Sequence, residues 1–514
     1  MGVFLFLSSG LFLGWSLGAN DAANVFGTAV GTRMVRFRTA AVVCSVFIVL
    51  GAVISGAGAA HTLGRLGAVN ALAGSFTVAL SAALTTYWMT RLKLPVSTSQ
   101  AIVGAIIGWN FYTSAVTDAS SLTKIVTTWI ACPLLSAAVA VVMMVALRFA
   151  VGRLRPHLLV LDAWTRLGLL AVGAFGSYSL GANNIANVMG VFVPDNPFRD
   201  VEFGGFTLSG GQLLFALGGI AIGVGVFTYS ERVMRTVGGG LLRLSPLAAL
   251  VVVLAQSVTL FLFASEGLQH ALASRGLPTF PLVPVSSSQA VIGAIIGIGV
   301  LRGGRGIRYG VLGEISLGWA ATPVLAGALA FVLLFVVDNV FDQQVSRPVA
   351  YRIDQAVIAE LEARGIRDQG LAGLEGRLRT NSVRLKHDLR ESTKLKPDQI
   401  LTVIEVARLG AWRVDAAVIA TELDREWLTS EQLHAVRSLV GRDYRRSWEL
   451  RRDLAAASAE WRPRPASTVN RVHNKELEKK LEYLETLFQV AETRESPDGA
   501  SGEPADAGAG FVPR

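Results

Sequence analysis

Cysteine is almost missing from this chain: Cys44 and Cys132 are the only two in 514 residues. Both fall inside apolar runs, which excludes a disulfide framework and leaves no thiolate spacing for a metal, so they read as small packing residues. The first segment, MGVFLFLSSGLFLG, lacks a basic start and runs straight into polar residues, which argues against a cleaved signal peptide. No phosphate-binding glycine loop, metal cluster or activated nucleophile appears, so nothing points to an enzyme, a resident cofactor or an ATP-driven pump. Charge is scarce as well, at 17% of residues against 52% hydrophobic, and the scarcity is local. Up to about Val337 long apolar runs alternate with short basic loops, whereas from about Asp338 the chain is dense in Arg, Glu, Lys and Asp.

That division predicts a membrane part followed by a soluble one. A helix needs roughly 20 apolar residues to cross the hydrocarbon, because every backbone polar group there must be satisfied internally. Candidate spans lie near 3–31, 39–60, 69–90, 95–116, 123–149, 163–193, 206–229, 244–265, 282–301 and 310–337, about ten in all. Arg33, Arg36, Arg38, Arg91, Arg148, Arg153, Arg155, Arg232, Arg302 and Arg308 fall in alternate loops. The positive-inside rule places those loops in the cytoplasm and the N-terminus outside a cell membrane crossed many times.

What the chain does have is repetition. GANDAANV at Gly18 returns as GANNIANV at Gly181, an offset of 163 residues. LPVSTSQAIVGAIIG at Leu94 returns as VPVSSSQAVIGAIIG at Val283, an offset of 189, and WIACPLLSAAVA returns as WAATPVLAGALA at 190. Three matched blocks in one order establish an internal duplication. With about five segments per half, an odd number, the second half enters from the opposite side, an inverted-topology repeat. Such proteins bind substrate near the midplane between discontinuous helices, and both repeated blocks have residues suited to breaks.

Asp21 is the one acid in the first Asn-rich block; a carboxylate at membrane depth costs at least a few kcal/mol unless paired or solvated, so its default reading is functional. Asn20 and Asn24, like Asn183 and Asn187, stand four apart and share a helical face, with Asn184 beside them. An amide offers a carbonyl to cations and an NH2 to anions. Ser97, Thr98, Ser99 and Gln100 follow Pro95; Ser286, Ser287, Ser288 and Gln289 follow Pro284. Proline cannot continue a preceding helix, so these hydroxyls open new helices, where N–H and O–H groups cradle anions. Ordinary N-capping by serine is the other reading. Lys124 and Glu314, related by the 190 offset, read either as a gating pair or as unrelated interfacial charges, with the second favoured.

GANDxAN with GANNxAN, joined to PVSTSQ and PVSSSQ, resembles the inorganic phosphate transporter family known as PiT, over about residues 1–337. The resemblance implies a phosphate carrier coupled to sodium or protons, with an inverted repeat around a central site. It implies substrate contacts from Asn20, Asp21, Asn24, Ser97, Thr98, Ser99, Asn183, Asn184, Asn187, Ser286, Ser287 and Ser288, and sodium near Asp21, Asn24, Asn184 and Asn187. Many relatives carry an acid where this chain has Asn184, and some place another in the helix before each PVS block; both departures bear on the coupling ion.

The expected organisation is a first membrane repeat (1–150), a second (151–342), a helical soluble domain (343–495) and a disordered Gly/Pro/Ala-rich tail (496–514). The C-terminal charges are of mixed sign, which excludes a nucleic-acid patch; a homo-oligomer is compatible with this plan. The fold class is thus an all-α polytopic membrane protein with broken helices or re-entrant hairpins. The function is phosphate import, against the alternatives of a sulfate or other oxyanion permease and a phosphate receptor signalling through the C-terminal domain.

Overall fold

A computed structural model describes residues 2–67, 69–92, 96–203, 206–237, 244–304, 307–421, 423, 427–465, 467 and 470–490. Pro95 and the tail expected to be disordered lie outside the described residues. The chain divides into two compact units, one of residues 1–407 with 464–475 and the other of 408–463 with 476 onward.

The first unit holds twelve helices before residue 340 among the described residues: α1 (Gly2–Gly31), α2 (Phe37–Ser55), α3 (Ala57–Leu66), α4 (Leu72–Arg91), α5 (Thr98–Thr113), α6 (Ala119–Leu154), α7 (Leu158–Met189), α8 (Gly210–Val237), α9 (Pro246–Ala264), α10 (Glu266–Ala273), α11 (Ser287–Leu301) and α12 (Tyr309–Asn339). Seven of them, α1, α2, α6, α7, α8, α9 and α12, are long and apolar enough to cross a membrane. That trims the expectation of ten crossings. The segments after the PVS blocks give helices of only 16 and 15 residues, roughly 24 Å long at 1.5 Å per residue and short of the ~30 Å hydrocarbon. α4 has 20 residues but is rich in hydroxyls. Five of them are bonded back to a carbonyl of the preceding turn, Thr77 to Ala73, Ser81 to Thr77, Thr85 to Ser81, Thr86 to Ala82 and Thr90 to Thr86, while Ser75 donates to Val191.

Helix breaks fall at the PVS blocks and not at the Asn blocks. α1 and α7 run unbroken through GANDAAN and GANNIAN. The Asn20 and Asn184 amides donate to the carbonyls of Ser16 and Leu180, four residues back, a polar partner found within the helix itself.

The two halves exchange their helices. α1 packs on α8 and its repeat mate α7 packs on α2; α5 packs on α12 and its mate α11 on α6. Glycines make these contacts close. A Cβ on Gly18 would lie 1.9 Å from the Ile222 carbonyl oxygen, and one on Gly181 would lie 2.1 Å from that of Ile48. A Cβ on Gly104 would lie 2.1 Å from the Pro323 carbonyl oxygen, and one on Gly293 would lie 2.2 Å from that of Pro133. Because the same spacings recur in both halves, the duplication seen in the sequence is also a duplication of packing. Small residues at crossings are how membrane helices gain close contact when burial from lipid adds little.

After α12 the chain lies against the first unit. Val345 is buried and its carbonyl accepts from the Trp109 indole at 3.0 Å. Asn70 clamps Arg347 through both backbone groups at 2.9 Å, and the Arg347 guanidinium meets Asp195 at 2.7 Å. Farther on, Ser382 accepts from the Val116 N–H. The C-terminal region therefore starts on the face that carries the 67–71 turn and the α7–α8 loop.

That region holds a second duplication, which the sequence reading missed. IDQAVIA from Ile353 matches VDAAVIA from Val414 at an offset of 61. Each follows a two-residue strand, β3 (Tyr351–Arg352) or β5 (Trp412–Arg413); β3 pairs with β4 (Leu378–Arg379) and β5 with β6 (Asp443–Tyr444), both antiparallel. β1 (Val201–Phe203) and β2 (Phe206–Leu208) form a hairpin before α8. The acid of each copy bonds the start of its helix, Asp354 to the Val357 N–H and Asp415 to the Ala417 N–H. The second unit has its own core around Trp412, Leu450, Leu454, Trp461, Leu484 and Phe488.

Two stability outcomes follow. Gly18→Ala forces α1 off α8 and should lower the detergent melting temperature, a cost of about 1–3 kcal/mol for overpacking; Gly64→Ala, which meets nothing within 4 Å, should leave it unchanged. Trp461→Ala empties a fully buried site and should cost the second unit about 3–5 kcal/mol, read as faster hydrogen exchange at 447–457 with the α1 and α7 amides unaffected.

Candidate functional site

The two Asn blocks and the two PVS blocks meet in the middle of the first unit, and they meet crosswise. Asp21, on the first half's α1, accepts a 2.6 Å hydrogen bond from Ser287, which opens the second half's α11. Asn187, on the second half's α7, donates at 2.8 Å to Ser99 in the first half's α5. Neither half can build this site alone.

Ser97 and Ser286 cap α5 and α11, accepting from the Gln100 and Gln289 N–H groups at 3.3 Å. Each serine oxygen holds the third N–H of its helix, while the earlier first-turn N–H groups have no intrahelical acceptor. Ser286 and Ser288 lie 3.0 Å apart, hydroxyl to hydroxyl. Thr98 is buried at the first position of α5.

The amides divide into three roles. Asn187 also donates to the Asn184 carbonyl oxygen at 3.0 Å, so these two form a short chain ending on Ser99. Asn183 instead grips the strand before α11: it donates to the Val285 carbonyl at 2.7 Å and accepts from the Val285 N–H at 3.0 Å. Ser99 donates to the same carbonyl at 3.2 Å. Asn20 turns away, donating to Thr90 on α4 at 3.1 Å. Asn24 is half-buried.

Polarity is concentrated and incompletely matched. The Asn187 Oδ1, Gln100 Oε1 and Gln289 Oε1 atoms are buried with no hydrogen-bond partner among the described residues. Buried oxygens normally have partners, and each unmatched one asks for an explanation. Amide and carboxylate oxygens are hard ligands of the kind that suits an alkali or alkaline-earth cation. No cluster of three or more His, Cys, Asp or Glu exists among the described residues.

A small recess, the Arg91 cleft, lies at the Arg91 end of α4 and is lined by Trp15, Asn20, Tyr87, Thr90, Arg91 and Tyr229. Arg91 stands 5.8 Å from the Tyr87 ring centre and is exposed at the mouth. Thr90 and its neighbours were not foreseen as site residues, although hydroxyls at 77, 81 and 85 and at 86 and 90 mark a four-residue stripe. Gln256 was missed too; it is fully buried on α9, and neither of its polar side-chain atoms has a partner. Lys124 and Glu314 are both exposed, away from this cluster, as expected of interfacial charges.

Comparison with known proteins gives relatives along most of the membrane part. A phosphate permease so named provisionally in Methanocaldococcus jannaschii is 26% identical over 323 residues, covering 63% of this chain and 93% of that protein. Proteins with the same provisional name in Pyrococcus abyssi and Haemophilus influenzae are each 23% identical, and this chain covers 98% and 96% of them. A solved chain described as the sodium-dependent phosphate transporter superposes with a TM-score of 0.51 at 23% identity, covering 65% of this chain and 100% of that one, a likeness of fold. The model of the phosphate transporter family matches residues 17–163, 155–278 and 271–490. With both Asn blocks, both PVS blocks and most of the chain inside those matches, this multi-pass membrane protein belongs to the phosphate transporter family.

Proposed function

We propose that the protein imports inorganic phosphate with sodium, by alternating access of two inverted halves around the crossed site. The observation that carries this reading is the Asp21–Ser287 bond: a buried carboxylate, with no basic partner among the described residues, reaches across the halves to the helix start best suited to an anion. Alone, that carboxylate repels phosphate. A cation held beside it reverses the local sign, so cation and phosphate bind best together, and this is the physical root of coupling. Helix starts at Ser97–Ser99 and Ser286–Ser288 supply N–H and O–H donors to phosphate oxygens. Asp21, Asn24, Asn184 and Asn187 supply oxygens to the cation. The oxygen-only donor set, and the sodium dependence in the name of the solved relative, favour sodium over protons as the coupling ion.

The positive-inside rule favours a cytoplasmic position for the basic loops, with the Arg91 cleft on that side. The crossed contacts support the inverted arrangement, since each half's Asn block needs the other's PVS block.

Labelled-phosphate uptake into proteoliposomes tests the reading. Uptake should follow an imposed sodium gradient, ignore a proton gradient and withstand excess sulfate. Saturable phosphate binding without accumulation would replace the carrier by a receptor, and competition by sulfate would widen the substrate class. Asp21→Asn should cut sodium-driven uptake at least about tenfold, equivalent to ~1.4 kcal/mol of lost coupling, with an unchanged melting temperature. Ser287→Ala removes the one hydroxyl on Asp21 and should lower apparent phosphate affinity about tenfold, read from the concentration dependence of uptake.

A further inference from the structure

Asn20 and Asn183 occupy the same position of the repeat, yet they do different things. Asn183 is fully buried and holds Val285 by both backbone groups. Asn20 is partly exposed, lines the Arg91 cleft and bonds Thr90. The residue that corresponds to Val285 at the 189 offset is Val96, and the Asn20 amide nitrogen points instead to Ser16 and Thr90.

The surroundings break symmetry in the same sense. Asp21 holds Ser287, while its mate Asn184 bonds Leu180 and Asn187 rather than Thr98. Ser99 donates to the Val285 carbonyl, while its mate Ser288 sits against Ser286. Around the mate of Trp15, the Tyr178 hydroxyl meets Ser55 at 2.7 Å, whereas the Trp15 indole donates to Thr228 at 2.8 Å. Thus the second PVS segment is fastened by Asn183, Ser99 and Asp21, while Asn20 lies in a small recess beside Arg91.

We infer that Asn20 and Asn183 are alternating backbone latches and not phosphate ligands: in the state described here Asn183 fastens Val285, and in the opposite-facing state Asn20 fastens Val96 while Asn183 lets go. An amide suits this task because it pairs with a backbone N–H and C=O together, as one strand does with another, and so can hold an irregular segment where water is excluded. Two equal repeats with one latch closed at a time define two states of similar free energy. A site that must exchange sides requires such a pair. The inference rests on the transport reading only for its purpose; the latch is a matter of conformation.

The test uses the full-length purified protein with Cys44→Ala and Cys132→Ala, carrying one reporter thiol at a time: Tyr87→Cys beside Asn20 or Ser55→Cys beside Tyr178 on the other flank. Reaction with a charged thiol reagent is timed in detergent. Adding Asn183→Ala should slow Tyr87→Cys by roughly threefold or more and speed Ser55→Cys by a similar factor, since the two report opposite states of one equilibrium. Adding Asn20→Ala should do neither, because it weakens only the latch that is already open. Both reporters speeding up in Asn183→Ala would mean general loosening and would overturn the proposal; so would no change in either, or a response to Asn20→Ala equal to that of Asn183→Ala. Absence of phosphate uptake by the unsubstituted protein, with the opposing shifts intact, would remove the transport reading and leave the latch standing.

Discussion

Everything in the membrane part depends on one bond between halves, from the Ser287 hydroxyl to the Asp21 carboxylate. A carboxylate in a low-dielectric interior is costly, and a single hydroxyl offsets only part of that cost. In the proposed reading, the remainder favours a cation beside Asp21 and the neighbouring helix starts favour an oxyanion. A fully paired Asp21 would be stable and inert.

The exchanged packing serves that bond. Asp21 reaches Ser287 because α1 and α8 touch at Gly18 and Ile222 and because α11 nests on α6 at Gly293 and Pro133. The same contacts recur through Gly181 with Ile48 and Gly104 with Pro323, so the two Asn blocks and the two PVS blocks are delivered to one place from both halves. Glycine is required there because a Cβ would occupy the position of a carbonyl oxygen.

Much of this was legible in the sequence, for specific reasons. The Asn and PVS blocks stand out because polar residues are rare among apolar ones, and their repetition at 163 and 189 is visible without a structure. The C-terminal duplication at Ile353 and Val414 was hidden by its mixed charge, which gives no contrast. Thr90 and Gln256 were missed because a hydroxyl or amide inside a membrane helix can satisfy itself locally or face a site, and its spacing is the same in both cases. Continuity of α1 and α7 through the Asn blocks was also not foreseen: the side chains bond backward along their own helices, a choice that composition does not reveal.

The sequence by itself determined the membrane class, the duplication and the inventory of the site, because each is a matter of composition and spacing. Only the tertiary structure decided which Asn block meets which PVS block, and which of two equivalent asparagines grips a backbone while the other lines a cleft. The two asparagines sit in near-identical motifs with similar local preferences. Their difference arises from packing at long range, which sets Asn183 against Val285 and Asn20 against Thr90.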